Sequence, residues 1–376
     1  MKARFLHILL FLLTWATSVV GQVTGTSWWN TDYNTTEGTE FWVTFMRSSG
    51  AAESDSERKL SFYLFLTTDH NETKVLISNP NSSFSREVNL NSGEHKIIQI
   101  PSEEVYLEMD NYDYNRAVNI TSNNPISVYS ASRHQSGKYD ASNVLSIPAL
   151  TNSYVVQTYV VDNAATEFAI IATADQTIDM YLRKVQLNPD TFDLSDRPLS
   201  DTVNKIRIDT TITLSKGQSY LYRETEDLFT DLSGSVLCSN KAFAVLIGGQ
   251  EVQINTTPNH IFHQSTPADQ LGKTFIVTPT IHASQTTQSV DDIVRITATE
   301  SNTMIYRNGT YVKTLNALET YQDTIYTGTN PEVVSYTSSK AVACYLYATD
   351  QNYITGNANK NQAAPTRQLL LHKSMG

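Results

Sequence analysis

The sequence predicts an all-β protein of three tandem antiparallel β-sandwich-like repeat units. Three observations carry that expectation. Short apolar runs alternate with a period of two and are cut by clusters of Asn, Asp, Gly, Ser and Pro, with almost no helical period. The 376 residues are 40% hydrophobic and include 20 Tyr and 13 Phe, a composition that leans towards strands. An internal repeat opens at Phe41-Trp-Val-Thr-Phe45, Tyr154-Val-Val-Gln-Thr-Tyr159 and Phe275-Ile-Val-Thr-Pro279. Its period far exceeds the about 40–50 residues of a propeller blade, so a β-propeller-like arrangement is the disfavoured alternative.

The elements follow in order. Residues 1–21 read as a signal peptide: Lys2 and Arg4 precede an apolar core from Phe5 to Trp15, and Val19 and Gly21 precede the expected cut before Gln22. The alternative is a membrane anchor, against which stand a short apolar run and the lack of a charged stop-transfer segment. Residues 22–36 form a polar N-terminal segment. The β units are expected at 37–150, 151–265 and 266–350, with a polar C-terminal tail at 351–376. In the first unit Phe41–Met46, Ser61–Thr67, Lys74–Ser78 and Glu94–Ile100 read as strands. Ser48–Arg58, Ser102–Asn115 and Val185–Asn204 read as the long loops.

Three further elements define the repeat. A Ser/Asn/Lys turn feeding an apolar strand appears as Ile120–Tyr129, Leu237–Leu246 and Tyr336–Tyr345. A strand, a polar turn and a second strand begin at Phe62, Phe168 and Ile293. Leu90-Asn-Ser-Gly93, Leu214-Ser-Lys-Gly217 and the weaker Leu315-Asn-Ala-Leu318 precede a strand. In this register Cys344 aligns with Val245 and Val128, and Cys238 with Thr121 and Thr337. The two cysteines fall at unrelated positions, so a Cys238–Cys344 disulfide is not expected. Each sandwich is expected to stand on its own packed core.

Composition excludes several classes. The apolar content and 17% charge argue against disorder. Two cysteines cannot staple a chain this long. The net charge is −11 at pH 7, and loss of Lys2 and Arg4 with the leader makes it −13, the wrong sign for nucleic acid. No apolar run after the leader is long enough for an integral membrane span.

Catalytic signals are missing, and no cofactor is implied. No Gly-x-Ser-x-Gly elbow occurs. His260-Ile-Phe-His263 is the one close histidine pair and lacks a metalloenzyme context. Asp291-Asp292 and the Asp110/Asp113 pair have no EF-hand spacing and read as solvated loops, and Gly248-Gly249 reads as a turn. The residues that suit a binding surface are aromatic, since rings stack on sugars or anchor protein partners at low entropic cost. They are Trp28 and Trp29 in the N-terminal segment, and Tyr106, Tyr112 and Tyr114 in the acidic stretch Tyr106-Leu-Glu-Met-Asp-Asn-Tyr-Asp-Tyr114. The competing readings are a cap on the first sandwich for the tryptophans and a plain connecting loop for the tyrosines. His260 joins the candidates, against a packing role at a unit interface. Six Asn-x-Ser/Thr triplets, at Asn34, Asn71, Asn81, Asn119, Asn255 and Asn308, carry weight only in a eukaryotic secretory pathway.

Several ordered motifs resemble one family. They are Gly38-Thr-Glu-Phe-Trp-Val-Thr-Phe-Met46, Asn124-Pro-Ile-Ser-Val-Tyr129, the series Asp140, Leu145, Pro148, Leu150 and Tyr154, and His260-Ile-Phe-His-Gln-Ser-Thr-Pro267 followed by Leu271, Gly272 and Phe275. Over roughly residues 36–350 the chain is similar to the N-terminal domain of the IgGFc-binding protein family. His263 and Leu271 depart from it, standing where the family tends to have Glu and Trp. The resemblance implies an exported, non-enzymatic binding or adhesion protein that is periplasmic, secreted or attached to the cell surface. Its partner would be immunoglobulin Fc, a mucin-type glycoprotein or a glycan. Scarcity of cysteine favours a bacterial member. The rival reading is a structural spacer or adhesin stalk with no ligand of its own.

Overall fold

The structure, a computed structural model, describes residues 36–48, 60–109, 111–134, 139–160, 165–187, 202–225, 229–253, 258–280, 291–327, 331–348 and 366–369. The expected signal peptide at residues 1–21, Trp28, Trp29 and most of the C-terminal tail lie outside the described residues. The described part is almost wholly strand, and every strand pairing is antiparallel.

The first strand set comprises β1 (Gly38–Val43), β2 (Leu60–Thr67), β3 (Thr73–Ser78), β4 (Ser85–Leu90), β5 (His95–Ile100), β7 (Val118–His134) and β8 (Tyr139–Val144). The order is β4-β3-β7-β2-β5, with β1 and β8 also on β7. The 17-residue β7 organises it. Its first half pairs with β1 and β3, its second half with β2 and β8. Both halves send alternate residues into one core, Val75, Ile77 and Ile120 from one and Leu64, Leu66 and Ile98 from the other. Each large side chain buried there contributes about 1.5–3 kcal/mol.

The same neighbours return in the last set. Strands β18 (Gly272–Val277), β19 (Asp292–Ala298), β20 (Thr303–Arg307), β21 (Thr310–Leu315), β22 (Thr320–Ile325), β23 (Val334–Ala348) and β24 (Thr366–Leu369) take the order β21-β20-β23-β19-β22, with β18 and β24 on β23. Between them lie β9 (Ser153–Val155), β10 (Thr166–Ala172), β11 (Gln176–Leu187), β12 (Thr202–Leu214), β13 (Ser219–Arg223), β14 (Thr230–Asp231), β15 (Val236–Ser239), β16 (Phe243–Gln253) and β17 (Pro258–Gln264). These form two sheets, β12-β11-β15-β9 and β17-β16-β10-β13, because the long strand is interrupted at Asn240-Lys241-Ala242. The Ser/Asn/Lys element, expected as a turn, is therefore a break only here. In β7 and β23 the chain runs through it as strand, crossing from one half of the sheet to the other.

The register supports the alignment of Cys344, Val245 and Val128. Each pairs with the matching residue of its set's second strand, Ile296, Ile170 and Leu66. It also corrects the strand–turn–strand alignment in the third copy by one residue. Val294 and Ile296, not Ile293, face the core as Phe168 and Ile170 do, and a one-residue slip exchanges the two faces of a strand. The turn before β5, β13 and β22 recurs atom by atom. Gly93, Gly217 and Leu318 all have positive φ, and their N–H groups donate to Thr68, Ala172 and Ala298 carbonyls at 2.8–2.9 Å. The third copy looks weaker in sequence because Leu318 holds the left-handed conformation that glycine adopts without strain.

Cys344 is buried in the third core, and burial pushes its thiol far above the usual range. Its counterparts are both valine, so Cys344→Val is expected to change stability by less than about 1.5 kcal/mol in urea titrations. Cys238 is half-buried, with its Sγ 3.7 Å from the Ser153 hydroxyl, and both cysteines are free thiols.

The expectation of separate cores needs correction. In β10, Phe168, Ile170 and Ala172 face the second core, while Ala169 and Ile171 join the first core together with Leu221, Ala244, Leu246 and Phe262. A strand covered on both faces reads as an unbroken apolar run, as Phe168-Ala-Ile-Ile-Ala does. Thr36–Gly376 accordingly holds together as one compact unit.

Candidate functional site

The described residues of the acidic stretch after β5 include a helical turn at Ser102–Val105 and a short strand, β6 (Tyr112–Tyr114), and Asp110 lies outside the described residues. β6 adds to the edge of β13, in the sheet of the second set. Of its tyrosines only Tyr112 presents its ring to solvent. Tyr106 is buried and stacks on Phe62 with centroids 5.2 Å apart. Tyr114 is buried, and its hydroxyl accepts from the Glu108 and Met109 N–H groups. Burial pushes that hydroxyl above the ordinary tyrosine range, against the opposing pull of those two bonds.

His260 lies in β17 rather than in a linker or helix. It is buried, with Nε2 2.5 Å from the Ser132 hydroxyl. The motif around it builds the joint between the first and second sets. β17 pairs with β16 on one edge. On its other edge the Phe262 N–H donates to Asp140 at 2.8 Å and the Gln264 N–H donates to the Ser142 hydroxyl at 2.9 Å. The Gln264 side chain in turn accepts from the Leu145 N–H at 2.7 Å. Side chains of β8 thus satisfy backbone groups that an edge strand would otherwise expose. His263 packs edge-on against Tyr345 at 4.7 Å, and Leu271 joins the same apolar cluster between the second and third sets.

The second joint is polar at its centre. Arg295 of β19 pairs with Asp231 at 2.5 Å and donates to the Thr158 carbonyl, with its guanidinium over the Tyr159 ring. Thr297 donates to Gln157 at 3.1 Å, and Thr158 donates to Asp231 at 2.9 Å. Burial would raise the Asp231 carboxyl. The Arg295 charge and the bonds from Arg295 and Ser233 outweigh it and hold the group below the usual carboxylate range. Asp292, expected in a solvated loop, is instead buried at the start of β19, where it accepts from the Thr280 N–H and hydroxyl at 2.6 and 2.9 Å. Gly248-Gly249, expected as a turn, lies inside β16.

Among the described residues no three His, Cys, Asp or Glu side chains gather to hold a metal ion. The outer face of the third set carries an exposed cluster that sequence reading did not single out. Ile276 of β18, Met304 and Tyr306 of β20 and Tyr311 of β21 share that face. Tyr306 and Tyr311 meet edge-to-face at 6.0 Å, the Tyr306 hydroxyl lies 3.6 Å from the Met304 sulfur, and the Tyr311 hydroxyl lies 3.0 Å from that of Thr314. Ile276, Met304 and Tyr311 are exposed and Tyr306 is half-exposed. Their alternation along strands was readable, but which face lay outside depended on the register. At the equivalent place the second set has Asp179 opposite Cys238, and the first has Leu76 opposite Thr121. Among these three equivalent places the aromatic platform occurs in the third set.

No helix among the described residues is long and apolar enough to cross a membrane. No curated protein matches the chain. A family model described as IgGFc binding protein matches residues 140–375, from the start of the Asp140 motif through the second and third strand sets. With more than half its length matched, the chain belongs to the IgGFc binding protein family.

Proposed function

We propose that the chain is an exported, non-enzymatic binding protein whose partner is immunoglobulin Fc, engaged through the aromatic platform of Tyr306, Tyr311, Met304 and Ile276. The observation that carries this reading is the platform itself: exposed rings on a rigid sheet, inside the family-matched region. Rings fixed on a sheet lose little entropy on binding and supply most of the energy in protein interfaces. The recurring strand order supports a three-unit frame with boundaries at 37–150, 151–265 and 266–350. A mucin-type glycoprotein or glycan is the second reading, favoured by the affinity of aromatic faces for sugar rings.

A pull-down from serum and from mucus with residues 22–376 tests the reading. Retention of Fc is expected from serum. Tyr306→Ala/Tyr311→Ala is expected to abolish it with an unchanged melting temperature. If Trp28→Ala/Trp29→Ala or Tyr112→Ala abolishes retention instead, the site lies at those residues. If nothing is retained, the chain is a spacer.

A further inference from the structure

The three strand sets share a cross-strand row on the outer face of the half-sheet formed by the second, fifth and long strands. In the first set it reads Ile97–Phe65–Tyr129, in the second Leu221–Ala169–Leu246, and in the third Gln322–Arg295–Tyr345. In the second and third sets the row is covered by the set before it. Leu221, Ala169 and Leu246 are 0%, 0% and 4% exposed and belong to the first core. Arg295 and Tyr345 are 2% and 0% exposed.

The cover is built the same way twice. It consists of the residues just after the set's first strand and the segment joining the fifth strand to the long strand. Over the second set these are Phe45, edge-on to Phe262 at 5.6 Å, and Met46, with Tyr114 from the joining segment. Over the third set they are Gln157 and Thr158, with Asp231 from the joining segment.

The first set's row has no such cover among the described residues. Ile97, Phe65 and Tyr129 are 57%, 36% and 47% exposed, and Tyr139 of β8 extends the patch. Among the described residues, no further strand set lies over the counterparts of these covering parts in the third set. They are the half-buried Pro279 and Thr280 after β18, with Tyr326 and Val333, 49% and 56% exposed, among the described residues of the joining segment. A contiguous exposed apolar patch of this kind marks an interaction site.

We propose that the open face around Phe65 receives the free end of the third set of a second copy of this chain, so that copies join head to tail. The occupant follows from continuity. The face is the one this chain already closes twice internally, and the matching end is the one it already uses as the cover. Such a contact is heterologous and does not close on itself in a dimer, so assembly continues with concentration.

Sedimentation equilibrium of residues 22–376 over a range of concentrations tests this. The weight-average mass is expected to rise past that of a dimer. Phe65→Glu alone and Val333→Glu alone are each expected to weaken self-association by at least about tenfold. Both positions are exposed, and circular dichroism and the melting temperature should not change. An equimolar mixture of the two variants retains one intact contact and is expected to stop at a dimer. A wild-type chain that stays monomeric at every concentration overturns the proposal. So does a closed dimer that Phe65→Glu abolishes and Val333→Glu leaves intact. Loss of Fc retention in Phe65→Glu without any self-association would assign the face to another partner and equally overturn it. The platform at Tyr306 and Tyr311 is not in this contact, so the outcome is independent of the Fc assay.

Discussion

Asp231→Ala is expected to destabilise the protein by about 3–5 kcal/mol, the cost of leaving a buried charge without its partner. Asp231 and Arg295 are both almost fully buried at the joint between the second and third sets. Removing the carboxylate leaves the Arg295 guanidinium with the Thr158 carbonyl and the Tyr159 face as its contacts there. It also removes the acceptor of Thr158 and of the Ser233 N–H. Urea denaturation should show the loss as a lowered midpoint. The same pair sets an acid limit. The Asp231 carboxyl is held below its usual value in the folded state, so the folded protein binds fewer protons than the unfolded chain near that pH. The pair's stabilisation is therefore fully present above the unfolded value of about 3.9 and is lost as pH falls through the folded value. In Asp231→Ala this component of acid sensitivity should be gone. An unchanged urea midpoint would show that the pair does not hold the joint.

Gly248→Ala is expected to cost about 3 kcal/mol or more, at the upper end of overpacking effects. A Cβ at this position would stand 1.9 Å from the Ile261 carbonyl oxygen and 2.9 Å from the Met46 side chain. The first obstacle is the backbone of β17, which cannot withdraw while the Asp140 and Ser142 side chains hold its outer edge. The approach is close because the register between β16 and β17 shifts between Gly249 and Val252, and glycine within a strand marks such a place. Gly249→Ala is the control. Its Cβ would meet the Val252 side chain at 2.6 Å rather than backbone, so the loss should be smaller. Thermal melts of the two variants measure the difference. Equal losses would mean that the approach of β17 is not the constraint.

Strand identity was legible because alternation was strong, and the repeat was legible because its turns reuse one hydrogen-bond pattern. Glu94, Gln218 and Glu319 each accept from the backbone N–H three residues earlier, at 3.0, 2.8 and 2.9 Å. Relations between the sets were hidden. The unbroken apolar run at Phe168–Ala172 already implied cover on both faces, yet the partner of the second face is set by tertiary contact. Arg295 stands at the centre of a strand, and only the joint supplies its partner Asp231. The aromatic loop misled for a related reason. Tyr106 and Tyr114 sit in acidic, polar sequence, but their rings point into the first core, and spacing alone does not tell an inward ring from an outward one. The family motif around His260 was visible as residues and proved to be a joint, with Gln264 and the Phe262 backbone tied to β8.

The most direct test of the account is calorimetric titration of IgG Fc, intact and enzymatically deglycosylated, into residues 22–376 and into Tyr306→Ala/Tyr311→Ala. Saturable binding to both forms of Fc is expected, and the double variant should weaken it by at least tenfold, about 1.4 kcal/mol. Absence of binding to either form of Fc, or binding of unchanged affinity in the variant, would contradict it.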